Sequence, residues 1–400
     1  MELNRRLAAR IDRLTESKTL KMARLSRELK DKGVDIISLS LGEPDFDTPG
    51  FVQNAAIQAM KDGFTHYPPV AGYNDLRETI ANRYSTKYGM EVGVTNTLVS
   101  TGAKHSLANL IMSLIDFDDE VLIPAPYWVT YPEQVALAGG VSKTVYAGVE
   151  QDYKVSAEQL EEALTEKTRM IIFSSPSNPT GSIYTKEELA QIADVFRKYP
   201  NLIIVSDEIY ELINFEGEHT SISAHKDLHD RLVIINGVSK GFAMTGWRLG
   251  YMVAPEWIIK ACEKMQGQFT SGTSSISMKA AQAAIGSDDS VVADMVAEFK
   301  KRRDYMLDAF GEISRLKMNK PGGAFYLFID VSEFFGTSNG ETSINDSEEL
   351  IMYLLGEANV AMVDGGAFGA PDCIRISYAA SMEQLKEAVS RLKKALSQLK

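Results

Sequence analysis

Cysteine is scarce in this chain of 400 residues. The two present, Cys262 and Cys373, are too few for a disulfide framework and show no metal spacing, so both are expected as reduced thiols. Histidine is scarce too. His66, His105, His219, His225 and His229 form no H-E-x-x-H or H-x-H pattern, so no metal site is expected and His105 reads as structural. No apolar stretch approaches the roughly 18 residues of a membrane-spanning helix. The start, Met1-Glu2-Leu3-Asn4-Arg5-Arg6, leads into mixed charge rather than the apolar core of a secretory signal. Positive charge is in deficit: 42 Lys and Arg stand against 54 Asp and Glu, a formal net charge of −12. Nucleic acid and anionic membranes both favour a basic surface, so neither is an expected partner, and simple solubility accounts for the excess. Cytoplasm is the expected compartment. No G-x-G-x-x-G comes after an apolar run, which disfavours a nicotinamide dehydrogenase, and there is no internal repeat or low-complexity tract.

What is present is ordinary for a globular enzyme, 44% apolar and 24% charged residues. The length is too great for one compact core and suits two domains. Short apolar runs predict strands at Leu98–Ser100, Glu120–Ile123, Met170–Ser174, Leu202–Ser206, Leu232–Asn236 and Leu249–Val253. Amphipathic stretches such as Lys104–Ile115 and Lys186–Arg197 predict helices between most of them. This alternation implies an α/β fold with a largely parallel sheet covered on both faces. The arm over residues 1–35 reads as helix, with Thr19 as N-cap and Lys32-Gly33 as stop. Val291–Phe310 reads as one long helix whose basic run, Lys300-Lys301-Arg302-Arg303, is a solvated face. Gly336–Ser347 reads as a polar surface loop. A capping box, Ser381-Met382-Glu383-Gln384, opens a last helix with Leu385, Val389, Leu392, Leu396 and Leu399 on one face.

The functional signal lies at the ends of the strands. Thr101-Gly102-Ala103-Lys104, the Trp128 loop, Asn178, Asp207 and Lys240 each come after a predicted strand. They therefore gather at one edge of the sheet, where open α/β sheets bind ligands. Lys240 stands in Gly237-Val238-Ser239-Lys240-Gly241-Phe242-Ala243-Met244-Thr245-Gly246-Trp247-Arg248-Leu249-Gly250. An amine held there and partly desolvated can form a Schiff base with a carbonyl cofactor. Eight residues on, Arg248 can clamp a phosphate. Asp207, in Ser206-Asp207-Glu208-Ile209-Tyr210, can hold a pyridine nitrogen protonated. Together these point to pyridoxal phosphate. Taken singly, each has a plainer reading: a surface lysine, a loop carboxylate, a helix cap.

The Lys240 segment resembles the signature of the class I/II pyridoxal-phosphate aminotransferases, nearly position for position. Ser177-Asn178-Pro179-Thr180-Gly181, Ala125-Pro126-Tyr127-Trp128, Leu41-Gly42-Glu43-Pro44-Asp45-Phe46 and Ile374-Arg375-Ile376-Ser377-Tyr378 match the same family in type and order. The resemblance runs from about Leu39 to the C-terminus and is greatest to the bacterial aspartate aminotransferase branch. It implies the type I fold of pyridoxal-phosphate enzymes, a large domain with a mainly parallel sheet plus a smaller α/β domain. The expected division is 1–47 as arm and part of the small domain, 48–290 as the large domain and 291–400 as the small one.

The resemblance also implies roles. Lys240 carries the cofactor and moves the proton. Asp207 holds the ring nitrogen, and Asn178 and Tyr210 the phenolic oxygen. Trp128 stacks on the ring with its indole edge near the substrate, although a single tryptophan is ordinarily core. Arg248 and the Gly102-Ala103-Lys104 turn hold the phosphate, the turn by free N–H groups and a helix dipole. Gly237 stands where other branches often carry a phosphate-binding serine, so more weight falls on Arg248. Arg375 clamps the substrate α-carboxylate, with Gly42 donating its N–H and Asn178 nearby; the plainer reading of Arg375 is a surface salt bridge. Tyr67 reaches the phosphate of a neighbouring subunit, which implies an obligatory homodimer. No arginine lies between Arg248 and Arg302, so Lys104 is the candidate for a distal substrate carboxylate.

The implied activity is transfer of the amino group from L-aspartate to 2-oxoglutarate by a ping-pong cycle of amino acid and 2-oxo acid substrates. The alternatives are an aminotransferase for aromatic amino acids or prephenate, and a β-lyase on the same fold. A transcription factor that borrows this fold needs a fused DNA-binding domain, for which this chain has neither room nor basic patch.

Overall fold

The computed structural model describes residues 7–400, so the expectation for Met1–Arg6 falls outside the described residues. Seven strands form the main sheet, in the spatial order Thr97–Ser100, Gly250–Val253, Leu232–Gly237, Ile203–Asp207, Thr168–Ser174, Glu120–Ala125 and Val141–Tyr146. Six run the same way; Gly250–Val253 alone is antiparallel to both neighbours. The central strands are apolar at nearly every position because both faces are covered. Successive residues alternate between two cores: Ile171, Ile204 and Ile234 enter one, Ile172, Val205 and Ile235 the other. Val141–Tyr146 has no counterpart among the predicted strands. It lies at the sheet edge beside Glu120–Ala125 and is mostly exposed, so its apolar content is low.

Helices fill the crossovers. Lys186–Arg197 starts on a capping box in which Thr185 and Glu188 satisfy each other's backbone N–H. Ala103–Leu114 begins directly after Gly102, whose φ of 87° and ψ of 157° turn the chain sharply out of its strand. On Glu256–Phe269, the buried Gln266 has all four hydrogen-bonding positions filled. It accepts from Ser100 Oγ (2.7 Å) and Asn109 Nδ2 (2.9 Å), and donates to Val70 O (2.7 Å) and Val99 O (2.9 Å).

A second, antiparallel sheet has the order Val363–Asp364, Cys373–Ser377, Tyr326–Asp330, Lys317–Met318. Ile37–Ser38 pairs in parallel with Val360–Ala361, and Ser377 N donates to Leu39 O at 2.8 Å. These bonds lay residues 37–42 beside the second sheet.

Several expectations are corrected. Among the described residues of the arm, helix is confined to Lys18–Asp31 plus a single 3-10 turn at Ile11–Arg13. Thr19 lies inside the first turn, because the non-helical residue before it is Ser17; the stop at Lys32-Gly33 stands, with Gly33 at positive φ. The long helix is Ala293–Gly311, preceded by a 3-10 turn at Asp289–Val292. Its basic run is solvated only at Lys300 and Lys301. Arg302 and Arg303 are buried, Arg302 paired with Asp45 at 2.6 Å and Arg303 bonded to Pro321 O at 2.8 Å. Within Gly336–Ser347, Thr337–Ser338 and Ser343–Ile344 pair as a short antiparallel ribbon. The last helix ends at Leu396, so Leu399 is buried from beyond it. Both cysteines are free and buried, and burial pushes each thiol up to about 12. Among the described residues no helix is long and apolar enough to cross a membrane.

Candidate active site

A cavity of about 430 Å³ opens at the carboxyl edge of the main sheet, against the second sheet. It is lined by Gly42, Ala103, Lys104, Trp128, Asn178, Asp207, Tyr210, Lys240, Arg248 and Arg375, so the structure brings together residues spread over more than 300 positions of sequence. Gly102 stands immediately behind, a Cβ on it falling 2.5 Å from Arg248 Nη2. Tyr67 is not in this cavity; it is 96% exposed.

Lys240 comes after the strand Leu232–Gly237, third of the seven. Its Nζ donates to Gly42 O and lies 6.0 Å from the Tyr210 ring centre. Burial pushes the amine down to about 8, opposed by the Glu43 carboxylate. Asp207 ends the neighbouring strand. Burial pushes its carboxyl up to about 6, although Tyr131 Oη donates to Oδ2 at 2.7 Å and Ile209 N to Oδ1 at 3.2 Å. Tyr131 is absent from the residues that sequence alone picks out. Its only signal is that it stands three residues after Trp128, in the first turn of the helix Thr130–Ala138.

Ala103 and Lys104 open the helix Ala103–Leu114, so their amides belong to the first turn, which lacks intrahelical acceptors. Arg248, at φ 53°, faces this turn. Gly237 has a steric reason: a Cβ there would sit 2.9 Å from Gly250 Cα and 3.0 Å from Leu249 O, leaving a serine no room. The Lys104 side chain turns toward Trp128, its Nζ 5.0 Å from the ring centre. Burial, then Arg248, lowers its affinity for a proton.

Arg375, on the second sheet, is only 2% exposed, which removes the surface-salt-bridge reading. Nη1 donates to Asn178 Oδ1 at 2.9 Å and Nη2 to Ser40 O at 2.7 Å, while Nε is buried without a partner. Its guanidinium lies 4.5 Å from the Tyr326 ring centre and 4.9 Å from that of Phe368. Tyr326 is likewise absent from the sequence reading. It stands shortly after the Gly322-Gly323 pair, and its hydroxyl is 2.7 Å from that of Tyr210.

The electrostatics suit an anion. Lys104, Lys240, Arg248 and Arg375 line the cavity against Glu43 and Asp207, and among the described residues none of the four cations forms an ion pair. A buried guanidinium without a carboxylate is costly unless a ligand completes it. A phosphorylated pyridine aldehyde fits this donor set. Its phosphate would lie at the Ala103 turn and Arg248, its ring nitrogen at the desolvated carboxyl of Asp207, and its aldehyde at the Lys240 amine. Among the described residues no group of His, Cys, Asp and Glu could hold a metal ion.

A family model described as aminotransferase class I and II matches residues 34–392. A bifunctional aspartate aminotransferase and glutamate/aspartate-prephenate aminotransferase of Petunia hybrida is 46% identical, covering 100% of this chain and 85% of that protein. An aspartate/prephenate aminotransferase of Nitrosomonas europaea is 41% identical over 98% of this chain and 100% of its own length. Among solved structures, the aspartate aminotransferase of Rhizobium meliloti superposes with a TM-score of 0.95 at 35% identity, covering 98% of this chain and 99% of that one. That of Thermus thermophilus with maleate gives 0.90 at 36%, covering 97% and 99%.

Proposed function

We propose, from the premise that this chain belongs to the class I and II aminotransferases, that it moves the amino group of L-aspartate to 2-oxoglutarate. Enzymes of this family with the type I fold are pyridoxal-phosphate-dependent, and the cavity fits that group. The observation that carries the dicarboxylate reading is a pair of cations without acid partners, Arg375 and Lys104, lining one cavity. The Thermus thermophilus neighbour was solved with maleate, itself a dicarboxylate.

The bound cofactor supplies an aldehyde that takes up the amine and a ring that accepts electrons from the substrate α-carbon. The protein supplies the rest. Arg375 holds the α-carboxylate by a planar fork, with Asn178 fixing Nη1 in place. Lys240 Nζ, displaced from its bond to Gly42 O, moves the proton at the α-carbon. Asp207 keeps the ring nitrogen protonated, and Tyr131 holds the carboxylate aligned. Tyr210 would donate toward the phenolic oxygen, Trp128 would lie against the ring, and Arg248 with the Ala103 turn would hold the phosphate. Lys104 meets the distal carboxylate. Lys104→Ala should raise KM for aspartate and 2-oxoglutarate about tenfold or more, with little change for phenylalanine; a distal charge pair worth about 1.5 kcal/mol gives that ratio. Equal losses on all three substrates would overturn the role of Lys104.

Prephenate is a second acceptor reading. Relatives from Petunia hybrida and Nitrosomonas europaea carry it in their names, and its two carboxylates suit the same two cations.

A homodimer in the cytoplasm belongs to this proposal, as does a division into residues 1–47, 48–290 and 291–400, which the two separate sheets support. The near-complete exposure of Tyr67 suits a side chain that serves the other subunit. Mixing Lys240→Ala protein with Tyr67→Phe protein should restore activity in hybrid dimers, where the site that keeps its own Lys240 and Arg375 receives an intact Tyr67 from the other subunit. No recovery under subunit exchange, or full activity from a monomer in sedimentation, would overturn the shared site.

A further inference from the structure

Two residues of the cavity are joined by a third to which the proposed chemistry gives no part. Tyr210 and Arg375 lie on different elements and have different proposed work: one would face the cofactor's oxygen, the other the substrate carboxylate. Tyr326 touches both. Its hydroxyl is 2.7 Å from the Tyr210 hydroxyl, and its ring lies 4.5 Å from the Arg375 guanidinium. It is fully buried, at the start of the strand Tyr326–Asp330, whose Phe328 pairs in register with Arg375. The ring is fixed on its other sides. Phe325 packs on it at 4.9 Å and Tyr210 at 5.8 Å. A Cβ at Gly42 would overlap the Tyr326 hydroxyl, so the Gly42 backbone closes over it.

Two hydroxyls this close share one hydrogen bond, and one of them must donate. The Arg375 cation on the Tyr326 ring draws electron density from that phenol and makes it the better donor. With Tyr326 donating, Tyr210 accepts, and its own proton is left free to turn toward the cavity. A phenol that accepts a hydrogen bond also donates a stronger one.

We infer that Tyr326 is a positioning residue with two separable parts: its hydroxyl directs the Tyr210 proton toward the cofactor's oxygen, and its ring is the shelf that sets the Arg375 guanidinium for the substrate carboxylate. The inference rests on the reading of the cavity as a pyridoxal-phosphate site, and extends it to a residue that reading does not use.

Two variants of the holoenzyme separate the parts. Tyr326→Phe keeps the ring and removes the hydroxyl; Tyr326→Leu removes both. The visible absorbance of the bound cofactor, titrated with pH, reads the donor at its oxygen. KM for aspartate reads Arg375. In Tyr326→Phe the titration midpoint should move up by about half a unit, in the direction given by Tyr210→Phe but by less, while KM changes less than twofold. In Tyr326→Leu the midpoint should move similarly and KM should rise at least fivefold. A midpoint unchanged in Tyr326→Phe while Tyr210→Phe moves it would overturn the hydroxyl part. A KM that rises equally in both variants would overturn the ring part. Absence of any cofactor absorbance in the unmodified protein would instead overturn the reading of the cavity itself.

Discussion

Lys240→Ala should lose at least about 10⁴-fold in transamination while the protein still binds pyridoxal phosphate through Arg248, Asp207 and the Ala103 turn. Borohydride treatment of the unmodified holoenzyme, then peptide mapping, should fix the cofactor on Lys240; a label on any other lysine would sink the assignment. The acidity of Lys240 adds a pH signature. With the amine pushed down to about 8, cofactor-free protein should take up pyridoxal phosphate at a rate that climbs toward pH 8 and then levels. An ordinary lysine would go on gaining to its usual 10.5. The same displacement has a sign for folding. Between about 8 and 10.5 the unfolded chain holds this proton and the folded chain has released it, so this group's contribution to stability rises with pH across that window.

Arg375→Met should lower kcat/KM for aspartate by about 10²- to 10³-fold, the effect of removing one partner of a desolvated charge pair worth about 3–4 kcal/mol. Folding should respond differently. The substitution leaves Ser40 O and Asn178 Oδ1 without a donor, at about 1–2 kcal/mol. It also removes a buried charge that has no carboxylate partner, which offsets that cost. Denaturant unfolding of the cofactor-free protein should therefore show little change. Large destabilisation with an unaltered KM would make Arg375 a structural anchor.

The central strands are legible in the sequence because a strand covered on both faces must be largely apolar, and Leu232–Gly237 and Ile203–Asp207 are. The edge strand Val141–Tyr146 carries no such constraint, and its exposed Lys143 and Thr144 break the apolar run that marks a buried strand. The buried arginines are legible in principle. Arg302 and Arg303 stand three and four residues from Phe299, and four and three from Met306, all on the inward stripe of their helix; charge alone makes them look solvated. Cavity residues that sit in long motifs can be named from those motifs. Tyr131 and Tyr326 cannot, because a tyrosine in an apolar segment reads as packing. The significance of Tyr326 exists only once it meets Tyr210, 116 positions away.

The saturated amide of Gln266 has a consequence for descent. Its carbonyl serves Ser100 and Asn109, and its amide nitrogen serves the backbone at Val70 and Val99. Glutamate would forfeit both donors, and a nonpolar residue would strand Ser100 and Asn109 as well. No single change at 266 keeps every bond, so a substitution there is compensated only by changes at the residues it serves, positions 100 and 109 among them. A change at 266 alone would leave buried donors or acceptors unpaired until its neighbours changed to match, at about 1–3 kcal/mol for each group stranded.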